Sequence, residues 1–173
     1  VQFNAAGDYS LDVGALETFA RPLAEGSGRR LQLLPEALCA DFLAGFAVPD
    51  SETFQTWVLN KQEHYHRLAL DILEDQNAAF EAAGDFEHAV AAARLQLRME
   101  PWLEEAHRRC MRGLALAGRR DEALHQYELC RLALDAELGA EPAPSTEALS
   151  VAIRAGRLIS PSPPLGIPRA VPE

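Results

Sequence analysis

The feature that most limits what this chain can become is a period of 34 residues. Ala83-Gly84-Asp85 returns as Ala117-Gly118-Arg119, Ala89 as Ala123, Phe80 as Leu114 and Ala93 as Tyr127, each 34 positions later. After the first glycine, Phe86, Ala89, Val90, Ala93 and Leu97 fall at spacings of one, three and four; after the second, Ala123, Tyr127, Cys130, Leu134 and Leu138 do much the same. Leu103, Ala106, Cys110, Met111, Leu114 and Ala117 draw a stripe between them. This spacing places one apolar face along each helix. The repeat therefore predicts helix, glycine turn, helix, stacked on a second copy of itself. Gly84 and Gly118 supply the positive φ that other residues resist, and Ala89 and Ala123 let the paired helices approach closely.

Composition agrees with an all-α fold. The chain has 30 Ala and 25 Leu against 15 Val, Ile and Thr together, so residues that keep their rotamer freedom in a helix outnumber the β-branched ones. From a cap at Asp50 or Ser51 the sequence runs to Ala83 without Gly or Pro, which predicts one long helix or two with a break near Asn60. Pro101 is expected in the first turn of the following helix. Gly139 with Pro142 closes the fourth stripe, and Ser145 can start a last helix through about Gly156. Leu11 to Leu23 and Leu31 to Leu43 suggest two shorter helices joined by the polar turn Gly26-Ser27-Gly28. A generic antiparallel bundle would give the same amphipathic stripes, and periodicity alone leaves that alternative open.

At 173 residues the chain can bury a core without metal or disulfide staples. Its three cysteines, Cys39, Cys110 and Cys130, are far apart, odd in number and without a CxxC pair, which fits a reducing compartment. No apolar run approaches the roughly 20 residues that span a bilayer, so a soluble, cytoplasmic chain with no membrane partner is expected. Sixteen basic against 26 acidic side chains give a net charge of -10. Such a surface repels phosphate, so partners should be proteins and not nucleic acid. The acidic excess lies in the helical region: residues 67 to 139 carry fourteen acidic and nine basic groups, residues 140 to 173 three of each. Five prolines crowd the last thirteen positions, and 159 to 173 reads as a linker or disordered tail. The short strand-like run at Val1 to Asn4 has no nearby partner strand and suggests a piece cut from something longer.

The glycine turns at Gly84 and Gly118, the small Ala89 and Ala123, and Pro101 at the junction resemble the tetratricopeptide repeat. That resemblance implies a right-handed superhelix of antiparallel helix pairs, about three repeats, the two N-terminal helices forming a degenerate third. A more specific likeness follows. Glu104-Glu105-Ala106-His107-Arg108-Arg109, then Gly118-Arg119-Arg120-Asp121-Glu122-Ala123-Leu124, Tyr127, and Glu137-Leu138-Gly139 with Pro142 resemble the bacterial transcriptional activator domain of SARP-type regulators. Upstream, Tyr9-Ser10-Leu11-Asp12-Val13 with Phe19, Ala37-Leu38, Asp41-Phe42-Leu43 and Phe54-Gln55-Thr56-Trp57 are similar to that family's opening helices. The likeness covers about residues 8 to 157. It implies a helical-repeat domain over 11 to 158, following an OmpR-like winged helix of which residues 1 to 10 are at most a residual strand. It also implies regulation of transcription through protein contacts: with a second copy as a homodimer, with the regulator's own winged helix, or with the transcription machinery. The DNA-reading helix is expected to lie outside this chain.

In repeats of this kind the first helix of each pair lines the inner surface. Asp71, Glu74 and Glu81 from the long helix, with Glu105, Arg108 and Arg112 from the next, are therefore the candidate partner-binding groove, the arginines acting as carboxylate forks. Against this stands the plainer reading of Glu104–Arg108 and Glu105–Arg109 as i,i+4 pairs on a solvated helix, worth about 0.2–0.5 kcal/mol each. Gly84, Ala89, Pro101, His107, Gly118, Ala123 and Tyr127 are read as structural repeat positions, with His107 a satisfied, partly buried histidine and no metal ligand. His64 and His66 point to different sides of a helix and exclude a shared metal. Trp57 and Trp102 are read as core or junction anchors, with a partner hot spot as the alternative for Trp102 directly after Pro101. There is no Gly-rich phosphate loop, GxSxG or HExxH, so no catalytic residue and no cofactor are expected. Two rival functions remain beside transcription: a general repeat scaffold, and a regulatory segment attached to an ATPase.

Overall fold

The structure, a computed structural model, describes residues 12–19, 33–45 and 51–158. The expected strand at 1–10, the turn at Gly26 to Gly28, the cap at Asp50 and the tail at 159–173 lie outside the described residues. All regular structure among the described residues is helical: α1 Asp12–Phe19, a 3₁₀ turn Glu36–Cys39, α2 Glu52–Ala82, α3 Phe86–Met99, α4 Glu104–Leu116, α5 Arg120–Leu138 and α6 Pro144–Arg154. Helices α2 to α6 pack in chain order as the antiparallel pairs of tetratricopeptide-like repeats, with α6 closing the stack against α4 and α5.

The 34-residue period reappears as geometry. Asp85 N–H bonds the Phe80 carbonyl at 2.9 Å, and Arg119 N–H bonds the Leu114 carbonyl at 2.8 Å. Gly84 (φ +73°) and Gly118 (φ +78°) take the left-handed conformation that these two turns need. Ala89 and Ala123 are both fully buried. The two copies differ in how the second helix starts. Asp85 accepts a bond from His88 N–H as a side-chain cap, whereas Arg119 cannot cap and instead binds Glu87 on α3 and Glu122 on α5.

Two core clusters meet on α3. One joins Leu16, Leu34, Ala69, Ile72 and Leu73 to Ala92 and Leu95; the other joins Val90 and Ala93 to Cys110, Met111, Leu114, Ala123 and Ile153. Helices α3 and α4 are pressed together at Gly113, where an added Cβ would lie 2.8 Å from Val90 Cγ2. Tyr127 is half-buried against the second cluster, with the Arg154 guanidinium 6.0 Å above its ring.

Of the two readings of the long helix, the unbroken one holds: α2 runs for 31 residues, about 46 Å at 1.5 Å per residue. Other expectations are corrected. The second short helix, expected across Leu31 to Leu43, shrinks to the four-residue 3₁₀ turn. Pro35 holds extended backbone (φ -59°, ψ 135°), and Leu34 N–H is captured by Gln76 Oε1 at 2.9 Å in place of a helical carbonyl. Pro101 is not in the first turn of α4. It sits in the preceding turn, where Leu103 N–H bonds the Glu100 carbonyl at 3.1 Å, and the non-helical Leu103 (ψ 89°) separates it from the helix. The tryptophans are not core. Trp57 is 45 % exposed, its ring set against those of Phe42 and Phe54, and Trp102 stands exposed at the inter-repeat turn. Leu138, in the last turn of the 19-residue α5, is 58 % exposed and not part of the core stripe.

Candidate functional site

Two faces of the stack differ in chemistry. On the side formed by α2 and α4, charges are stitched to one another. Glu74 takes Arg109, whose Nε lies 3.5 Å from Glu105, and Glu81 lies 3.7 Å from Arg112 Nη1. Arg108 turns instead toward α6: it binds Glu105, donates to Thr146 Oγ1 at 3.0 Å and lies 3.6 Å from Glu104. Glu104 in turn accepts Ala143 N–H at 2.7 Å and the Thr146 hydroxyl, so one carboxylate seats the N-terminus of α6.

Of the six residues picked as a groove, the structure thus joins Glu74, Glu81, Glu105 and Arg112 in an α2–α4 seam. Arg108 serves the α4–α6 junction. Asp71 is exposed and makes no ion pair among the described residues. Sequence reasoning missed Arg109 as the residue that reaches α2. It lies one position from Arg108, and only the helix phase decides which of the two faces the neighbour.

His107 is buried, 3 % exposed, and anchors a directional chain of hydrogen bonds. Its Nε2–H donates to the Pro101 carbonyl at 2.9 Å, Gln126 Nε2–H donates to its Nδ1 at 2.7 Å, and the Cys110 thiol donates to Gln126 Oε1 at 3.6 Å. Desolvation is the largest influence on the ring and pushes its pKa below the ordinary value of 6.5, which outweighs the hydrogen bonds and the nearby Glu104 carboxylate. The imidazole is therefore neutral and holds the α4–α5 pair to the inter-repeat turn. Burial raises the Cys110 thiol pKa and pushes that of Cys130 up to about 11, so both stay protonated and packed. Among the described residues, no three His, Cys, Asp or Glu side chains gather as a metal site, and no helix is long and apolar enough to cross a membrane.

The other side, formed by α3 and α5, combines the ion pairs Arg98–Glu36 and Arg119–Glu87 with an open groove whose lining is mostly apolar. A groove of about 930 Å³ runs along α3, with Val90, Ala91 and Leu95 as its floor. Leu33, Leu34 and Pro35 form one wall, Leu129 and Ala133 of α5 the other, and Pro101 and His107 contribute at the inter-repeat junction. Arg94 and Arg98 stand among its lining residues. The signal for it was present in the sequence: Leu129, Leu132, Ala133 and Ala136 make a second stripe on α5, at i, i+3, i+4 and i+7, on the side away from the core. Leu129 is 41 % and Leu132 54 % exposed.

Residues 15–154 match the family model of the bacterial transcriptional activator domain. The chain belongs to that family. The activator domain is an all-helical, tetratricopeptide-like unit of transcription regulators, a regulatory family and not a known catalytic one. No curated protein and no solved structure matches the chain. In this activator domain, the charged seam and the groove occupy opposite helices of each pair.

Proposed function

We propose that this activator domain is a non-catalytic effector module of a SARP-type regulator, acting in the cytoplasm through protein contacts. The partner is another protein surface: the transcription machinery, the regulator's own winged helix, or a second copy. The observation that supports this most directly is the family match across residues 15–154. The side-chain geometry is compatible with it, since Glu74 pairs with Arg109 and Glu81 with Arg112 across α2 and α4, and a mostly apolar groove lies open on the α3–α5 side. A net charge of -10 opposes binding to a phosphate backbone, so the chain alone should leave promoter DNA unshifted in an electrophoretic assay at low micromolar protein.

Of the two faces, the α2–α4 seam proposed around Glu74, Glu81 and Arg112 is the weaker docking surface. A partner there must displace ion pairs that already satisfy one another. The decisive experiment joins this chain to an unrelated DNA-binding domain whose operator lies upstream of a weak promoter. Transcription should rise above that produced by the DNA-binding domain alone; an unchanged output would overturn the effector reading.

A further inference from the structure

The groove along α3 has a floor and walls that specify what can lie in it. From Glu87 to Arg98 the lining spans eleven residue steps of α3, about 17 Å at 1.5 Å per residue, or three helical turns. Its surfaces are helix faces whose backbone groups are already bonded within the helices. The extended wall gives no free amide at Leu34, which is held by Gln76. His107 and Gln126, its deepest polar groups, are engaged with each other. An extended peptide laid here would leave its own N–H and C=O groups without partners, whereas a helix carries them satisfied.

Charge narrows the choice further. Arg119 is clamped by Glu122 through two 2.7 Å bonds and by Glu87 at 3.0 and 3.1 Å, and Arg98 is held by Glu36. Arg94 lies against the Cys110 thiol and 3.9 Å from Glu122, whose oxygens Arg119 already occupies, so neither partner takes up its five N–H donors. Its half-exposed guanidinium, midway along the floor, therefore has donors available in a chain that is otherwise strongly acidic. A second copy is disfavoured as occupant, because two bodies of charge -10 repel.

We propose that this groove receives the apolar face of an amphipathic helix from a partner protein, with a carboxylate of that helix bound by Arg94. Leu129 on the wall, with Leu132 exposed one turn further along α5, extends the apolar contact past the groove's edge. The proposal deepens the effector reading above and rests on it.

The test uses three peptides of about 14 residues, each stapled as a helix: one with leucines at i, i+3, i+4 and i+7 and a central glutamate beside them, one with lysine in its place, and one scrambled. By fluorescence anisotropy on the full 173-residue chain, the glutamate peptide should bind at least about tenfold more tightly than either other peptide. Leu129→Asp should lose that binding, and Arg94→Glu should reverse the preference between glutamate and lysine, while both variants keep the urea midpoint of the parent. Equal binding of the scrambled peptide, indifference to Leu129→Asp, or an unchanged order in Arg94→Glu would each overturn the proposal. So would light scattering that shows a dimer dissolved by Leu129→Asp. The promoter fusion separates the two readings: if the fusion fails to activate while the glutamate peptide binds, the effector role falls and the groove stands. If Leu129→Asp loses the peptide but the fusion still activates, the groove is not the effector surface.

Discussion

The α2–α4 and α3–α5 faces come from the same repeat and finish in opposite ways. On the first, Glu74, Glu81, Glu105, Arg109 and Arg112 spend their charge on one another across the helix boundary. On the second, Leu129 and Leu132 stay open beside a groove whose charged groups lie among apolar side chains. A charged face that neutralises itself fixes how neighbouring repeats sit but offers little to a partner. An apolar face contributes little to the fold and is available to a partner, because its burial has been deferred. The lesson is that the number of charges on a helix face says little about docking; what matters is whether those charges are already matched.

Three changes would break or sharpen this contrast. The largest effect is expected where the two faces are clamped together. Gly113→Leu drives a side chain into Val90, 2.8 Å from where its Cβ must go, and should lower stability by about 3 kcal/mol in urea melts. Both faces should lose order together; retained groove binding at full stability would show that the faces are independent.

His107→Leu comes next, at about 2 kcal/mol, because it strips partners from the Pro101 carbonyl and the Gln126 amide in a buried site. This substitution also carries a pH signature. The fold holds His107 neutral, whereas the unfolded chain takes up a proton near the ordinary pKa of 6.5. The stability held above that pH is therefore lost progressively as pH falls below it toward the depressed folded value. The parent should lose stability between pH 7 and pH 5 more steeply than His107→Leu, and equal slopes would remove His107 from the account. The smallest effect belongs to the charged face: Arg109→Gln with Arg112→Gln should cost about 0–1 kcal/mol per ion pair, and the difference should shrink in high salt.

Much of the fold could be read in advance because its determinants are local. Gly84 and Gly118 mark turns that need positive φ, and Ala89 and Ala123 mark close helix contacts, so period and chemistry agree. What failed depended on side chains that capture backbone groups. Leu31 to Leu43 has helical spacing, but Gln76 takes the Leu34 amide from 42 positions away. Pro101 satisfies a helix-start rule, yet its carbonyl is held by His107 outside the helix. For the candidate surfaces, residue types were legible and orientation was not. Arg108 and Arg109 are equivalent on paper, and one helical step sends the first to Thr146 and the second to Glu74. The outer stripe of α5 was readable, but the stronger inner stripe drew the assignment.

The capture of Leu34 by Gln76 also bears on the order in which the molecule assembles. Helices α2 to α6 meet neighbours across connections of a few residues, so each closure fixes little chain and the stack can zip from one turn to the next. The strand-like wall at Leu33 to Pro35 must wait until α2 and α3 exist, because its anchor points, Gln76 and the Arg98 that holds Glu36, sit on those two helices. It is therefore the last side of the groove to form and, by the same accounting of loop entropy, the first to detach. Amide exchange at Leu34 should consequently outpace exchange at Ala89 and Ala123.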